Sequence, residues 1–150
     1  MNKEKRIWIA LFLALTLMVI LSGCSGLTKT AKINITINPN PVPYSSENES
    51  WSFNIVLDES NGVGVTLSSL RLDEYNQDEQ LSDTTIWQEE KIIDVFESNY
   101  LSAFSSLQGD IGYLIAPGDE FAKYMVLIIE GADDNNNPID ATGRVDFLSQ

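Results

Sequence analysis

Apolar and polar residues alternate along much of this chain. From Lys32 to Asn38, Ile33, Ile35 and Ile37 alternate with Lys, Asn and Thr, and from Trp51 to Leu57, Trp51, Phe53, Ile55 and Leu57 share one parity. A period of two places successive side chains on opposite faces, so both stretches predict strands with one buried face. Pro39, Pro41 and Pro43 stop the first of them, because proline has no N–H to give to a ladder. A third strand is predicted over Val65 to Tyr75, where Val65 and Leu67 sit at one parity and Leu70 and Leu72 at the other. That change of phase predicts a bulge or bend at Ser68-Ser69. Phe121 to Glu130 is apolar at both parities, as expected of a central strand, and Ile139 to Leu148 returns with Ala141, Gly143, Val145 and Phe147 on one face.

The intervening segments are less regular. Asp58 to Gly64 and the Asp/Asn-rich Gly131 to Pro138 carry turn chemistry. Asn76 to Thr85 is polar and predicts a loop leading to a short edge segment at Ile86 and Trp87. Ile92, Ile93, Phe96 and Tyr100 fit helical spacing as well as strand spacing, which predicts a helical turn within Glu89 to Leu101. A short strand is expected over Gly112 to Ile115. About seven short strands with no long helix predict an all-β, antiparallel β-sandwich. Ile115-Ala116-Pro117-Gly118-Asp119-Glu120-Phe121 resembles the approach to the sixth strand of fibronectin type III and other immunoglobulin-like domains, where Leu-x-Pro-Gly-x-x-Tyr forms the tyrosine corner. The resemblance implies an immunoglobulin-like β-sandwich. The chain departs from that motif at Phe121, which lacks the hydroxyl, and Tyr124 stands three residues on. A likeness of this kind implies a fold and transfers no functional residue.

Ahead of the first strand, Lys3, Lys5 and Arg6 precede an apolar run from Ile7 to Leu21, which ends at Ser22-Gly23-Cys24-Ser25-Gly26. A basic start, an apolar run and small residues make a secretory signal. The run is shorter than the roughly 20 residues of a membrane-spanning helix, so an uncleaved span is the second reading. Leu21-Ser22-Gly23-Cys24 resembles the lipobox of bacterial lipoproteins. That resemblance implies diacylglyceryl transfer to the Cys24 thiol and cleavage before Cys24. The expected organisation is a signal peptide over 1–23, a lipidated tether over 24–31 and the sandwich over 32–150. The expected place is the cell envelope, anchored by lipid and facing away from the cytoplasm: the outer face of the plasma membrane, or the outer membrane if the organism has one.

The full chain has 9 basic and 22 acidic residues. Removing the signal takes Lys3, Lys5, Arg6 and Glu4, leaving 6 basic and 21 acidic residues and a net charge of −15. Such a surface repels nucleic acid, which is not expected as a partner. Cys24 is the only cysteine and there is no histidine, so the commonest general base and the commonest transition-metal ligand are absent from the sequence. The expected function is non-enzymatic: contact with another envelope or surface protein, or structural assembly.

Three constellations bear on alternatives. Asp133, Asn135, Asn137 and Asp140 cluster oxygen ligands of the kind calcium prefers, and from Asp133 they match the opening spacing of an EF-hand loop. Pro138 stands at the required glycine and Arg144 at the bidentate Glu, so a plain turn is the favoured reading and weak calcium binding the alternative. Trp87, Tyr44 and Tyr113 lie in less periodic segments and are candidate contacts for a carbohydrate-binding module, whereas Trp51 is in phase with the core. Carboxylate pairs at Asp58/Glu59, Asp73/Glu74, Asp78/Glu79, Glu89/Glu90 and Asp119/Glu120 raise a glycosidase reading. Neighbours on a strand point to opposite faces, so a solvated surface is expected instead.

Overall fold

The computed structural model describes residues 29–114 and 121–148. The expected signal over 1–23, the Leu21–Cys24 motif and residues 115–120 of the corner-like motif lie outside the described residues. The strands are β1 (Ile33–Asn38), β2 (Tyr44–Ser45), β3 (Ser50–Glu59), β4 (Val65–Tyr75), β5 (Leu81–Gln88), β6 (Tyr100–Leu101), β7 (Ser106–Tyr113), β8 (Tyr124–Asp133) and β9 (Pro138–Asp146), with one helix, α1 (Glu89–Phe96). They form two antiparallel sheets. In the first, β3 is central, with β7 on one edge and β1 and β2 sharing the other. In the second, the order is β5-β4-β8-β9, and β6 pairs with the start of β4. The fold is an all-β sandwich. Its seven long strands are those the alternation predicts in number, and β2 and β6 add two residues each.

The proline segment after β1 crosses from one sheet to the other. Val42 donates its N–H to the Asp146 carbonyl at 2.8 Å and accepts from Leu148 N at 2.9 Å, making a parallel bridge opposite Phe147. This closes the side of the sandwich where β1 meets β9. The bulge expected in β4 is present: the pairing with β8 skips a residue between Leu67 and Ser69. Skipping one residue resets the alternation, so Val65, Leu67, Leu70 and Leu72 all reach the interior.

The opposite side is filled by α1, which buries Ile92 and Phe96. An added Cβ on Gly109 of β7 would stand 2.5 Å from Val95 Cγ1 and 2.7 Å from the Val95 carbonyl oxygen. The glycine is therefore what lets the helix lie against β7. Two expectations are corrected here. Residues 81–85, expected as loop, belong to β5, an edge strand whose exposed residues erase the apolar period. β7 begins at Ser106 rather than Gly112, because Gly109 interrupts the apolar parity of Leu107, Ile111 and Tyr113 where the helix takes up the space. At one pole of the core, Trp51 is fully buried and ringed by Tyr44, Phe121, Tyr113 and Phe147 with centroids 4.6 to 6.0 Å away. Its indole N–H donates to the Leu148 carbonyl at 3.0 Å.

Candidate functional site

Of the residues singled out for calcium, Asn135 and Asn137 gather on Asp133, and Asp140 stands apart. Asp133 is on the inward face of β8, 4% exposed, whereas Asp140 pairs with Glu130 on the outward face of β9. Asp133 Oδ1 accepts the Asn135 and Asn137 backbone N–H groups at 2.9 and 2.8 Å, and Oδ2 accepts Ala31 N–H at 3.2 Å. The Asn137 amide adds bonds of 3.1 and 3.0 Å to the two oxygens, and the Asn135 amide turns away to the Lys29 carbonyl at 2.9 Å. Burial acts to raise the Asp133 pKa, but these donors outweigh it and hold the carboxyl below its ordinary range. The loop is a turn built on one carboxylate. Among the described residues, no three acidic side chains are grouped as a metal site would require.

The three aromatic candidates for carbohydrate contact do not form an exposed row. Tyr44 and Tyr113 face inward on the first sheet against Trp51, and Trp87 packs against the core from β5 with the Lys91 ammonium 5.9 Å from its ring. Tyr113 donates its hydroxyl to Glu74 Oε2 at 2.9 Å, tying β7 to β4 across the sandwich. The same hydroxyl accepts the Ala122 N–H at 3.4 Å. Tyr113 thus makes a hydroxyl-to-backbone tie beside Phe121, which stacks on Trp51 at 5.4 Å. Burial, followed by the Glu74 carboxylate, pushes the Tyr113 phenol up to about 12.

Of the carboxylate pairs, Asp78/Glu79 and Glu89/Glu90 are exposed as expected and residues 119–120 lie outside the described residues, but the pairs in β3 and β4 each hold a buried member. Glu59, at 3% exposed, accepts the N–H groups of Gly62 at 2.7 Å, Asn61 at 2.8 Å, Phe104 at 3.1 Å, Lys32 at 3.2 Å and Val63 at 3.3 Å. Burial would raise its pKa; the bonds from Phe104, Asn61, Lys32 and Gly62 prevail and push it down to about 2. Asp73 accepts from Arg71 Nε at 3.2 Å and Thr84 Oγ1 at 2.9 Å on the outward face, while Glu74 points inward to Tyr113. Asp58 accepts from the Ser106 hydroxyl. The members of the pairs in β3 and β4 therefore face opposite ways, as strand geometry requires.

The outward face of β5-β4-β8-β9 carries exposed Leu81, Thr84, Ile86 and Thr142 among half-buried neighbours, with Asp73 buried between them. The registers set Leu81, Tyr75, Tyr124 and Asp146 side by side at one end, then Thr84, Asp73, Val126 and Arg144, then Ile86, Arg71, Ile128 and Thr142. Tyr75 and Tyr124 stack at 4.7 Å and 14°, and the Arg144 guanidinium lies 3.7 Å over the Tyr124 ring. Asp146 Oδ1 holds that guanidinium through Nη2 at 2.7 Å and Nε at 2.9 Å. Leu81 and Ile86 are 56% and 55% exposed on this face. Arg71 and Arg144, two of the three arginines in the sequence, are both here. Tyr and Arg are the residues most enriched where proteins meet. Sequence reading missed this face, because Tyr75 and Tyr124 come together only through the β4–β8 register.

No family model matches the sequence, and neither does any curated protein. Solved structures match at low identity. A Northeast Structural Genomics Consortium target, SoR45, is 10% identical with a TM-score of 0.50, over 81% of this chain and 92% of that one. A Bordetella pertussis protein assigned as ApaA is 11% identical with a TM-score of 0.47, over 81% and 98%. The Pseudomonas fluorescens alkylpurine DNA glycosylase AlkC, bound to DNA with an abasic site analogue, is 8% identical with a TM-score of 0.47, over 82% of this chain and 32% of that one. Among the described residues no helix is long and apolar enough to cross a membrane.

Proposed function

We propose that this chain is a non-enzymatic lipoprotein of a bacterial cell envelope, anchored by lipid on Cys24, whose sandwich holds another envelope or surface protein through the outward face of β5-β4-β8-β9. The anchor reading is supported by Leu21-Ser22-Gly23-Cys24 at the end of a basic and then apolar start. The observation that carries the contact reading is the Tyr75–Tyr124–Arg144 stack beside exposed Leu81 and Ile86. Stacked rings and a guanidinium fixed by Asp146 present rigid contact area, so little side-chain freedom is lost on binding.

A photo-cross-linking amino acid at Ile86 or Thr142, compared with one at Gln108 on the other sheet, tests this in intact cells. Discrete adducts from Ile86 and Thr142 and none from Gln108 are expected. The same ladder from all three positions, or none from any, would remove this face as the contact surface.

A further inference from the structure

One pole of the sandwich gathers the start of β1, the β3–β4 loop at 60–64, the β6–β7 loop at 102–105 and the β8–β9 turn at 134–137. The chain is fastened there from Lys29 onward. The Asn135 and Asn61 amides donate to the Lys29 and Thr30 carbonyls at 2.9 and 3.0 Å, and Ala31 N–H and Lys32 N–H donate to Asp133 and Glu59, both at 3.2 Å. From Cys24 to Lys29 are five residue steps, which span at most about 18 Å when fully extended. β4, with its 11 residues, is about 36 Å long. A lipid on Cys24 therefore keeps this pole near the bilayer, while the β4–β5 turn at 76–80 lies a strand length away.

One large apolar side chain at this pole stays outside the core. Phe104 is 71% exposed, lies over Gly62, and has φ of +54°, a left-handed conformation that a bulky residue rarely adopts. Its N–H is held by Glu59 at 3.1 Å, and the Ser105 N–H and hydroxyl close the turn on the Ser102 carbonyl at 3.2 and 2.7 Å. The buried carboxylate that fixes Lys32 thus also keeps an aromatic ring outside the fold. Tyr100, 43% exposed, stands at the same pole with its hydroxyl on Asp134 at 3.2 Å. Lys29 and Lys32, two of the six basic residues outside the signal, are exposed there as well. An amphipathic ring such as that of Tyr100 and basic side chains are what a membrane interface favours, and Phe is among the apolar side chains that bury at the headgroup boundary.

We infer that this pole rests on the lipid surface, with the Phe104 ring seated at headgroup level as a second contact beside the Cys24 lipid. The inference rests on the lipid anchor proposed above and commits the domain to standing upright, with the β4–β5 turn pointing away from the bilayer.

The lipidated protein, purified from membranes and reconstituted in vesicles of phosphatidylcholine and phosphatidylglycerol, tests it. With Cys24 modified, a single added thiol can take a nitroxide label: Ala103→Cys beside Phe104, or Asp78→Cys on the far turn. Both positions are exposed, so a label at either displaces no core side chain. Collisions with oxygen relative to a water-soluble nickel chelate report depth. The Ala103→Cys label is expected to show a several-fold higher ratio than the Asp78→Cys label, falling when Phe104→Ser is added while circular dichroism stays unchanged. Equal, water-like ratios at both positions on protein whose mass shows the lipid would overturn the orientation and leave the anchor standing. Absence of lipid on Cys24 would overturn both.

Discussion

The Glu59 carboxylate accepts the Lys32 backbone N–H at 3.2 Å, so the last residue of β3 fastens the chain just ahead of β1, the strand it pairs with. The same carboxylate takes four more backbone N–H groups, from Asn61, Gly62, Val63 and Phe104. Glu59→Gln leaves one side-chain oxygen for these donors and should cost about 2 kcal/mol or more in urea unfolding at pH 7. The carboxyl is depressed from 4.5 to about 2 in the fold. Its contribution is therefore complete above pH 4.5 and lost as pH falls toward 2. The difference between Glu59→Gln and the parent protein should shrink over that window, and a constant difference would contradict the assignment.

Tyr113 and Glu74 make the reverse case. Burial raises the Glu74 pKa, the Tyr113 hydroxyl lowers it and nearby Asp83 raises it, with a net upward shift. A raised carboxyl favours the fold at low pH, and that contribution is lost as pH rises through its folded value. Tyr113→Phe leaves the ionised Glu74 without its donor and should cost about 1 to 2 kcal/mol at pH 7. Near pH 4, where Glu74 carries its proton, the cost should be smaller. Unfolding curves of both proteins at the two pH values check the sign.

Gly109→Val places side-chain atoms where Val95 and its carbonyl already are. Overpacking of this kind costs about 1 to 3 kcal/mol, and here the helix is the part free to give way. Hydrogen exchange should show earlier loss of protection in Glu89–Phe96 than in β4 or β8. Unchanged exchange in the helix would mean that it does not depend on that contact.

Much of the fold was legible because alternation reports one buried face directly: Ile33, Phe53, Ile55 and Leu57 lie inside as their parity predicts. Even the β4 bulge was visible, since Leu67 and Leu70 can share an interior only if one residue between them leaves the ladder. β5 was not, because an edge strand keeps few apolar positions and its Leu81 and Ile86 point outward. The buried acids were not legible either. Glu59 and Asp133 resemble turn residues in sequence, and their burial depends on backbone donors brought from residues as distant as Phe104 and Ala31. The Tyr75–Tyr124–Arg144 stack escaped for the same reason: its members become neighbours only when β4, β8 and β9 pair.

Cys24 is proposed to carry the lipid that fixes this domain in place. Intact-mass spectrometry of the protein extracted from the producing cell's membranes reads it directly. The account predicts a chain beginning at Cys24 with a diacylglyceryl increment, and only full-length precursor from Cys24→Ser. An unmodified 16.7 kDa chain of 150 residues from the native sequence would contradict it.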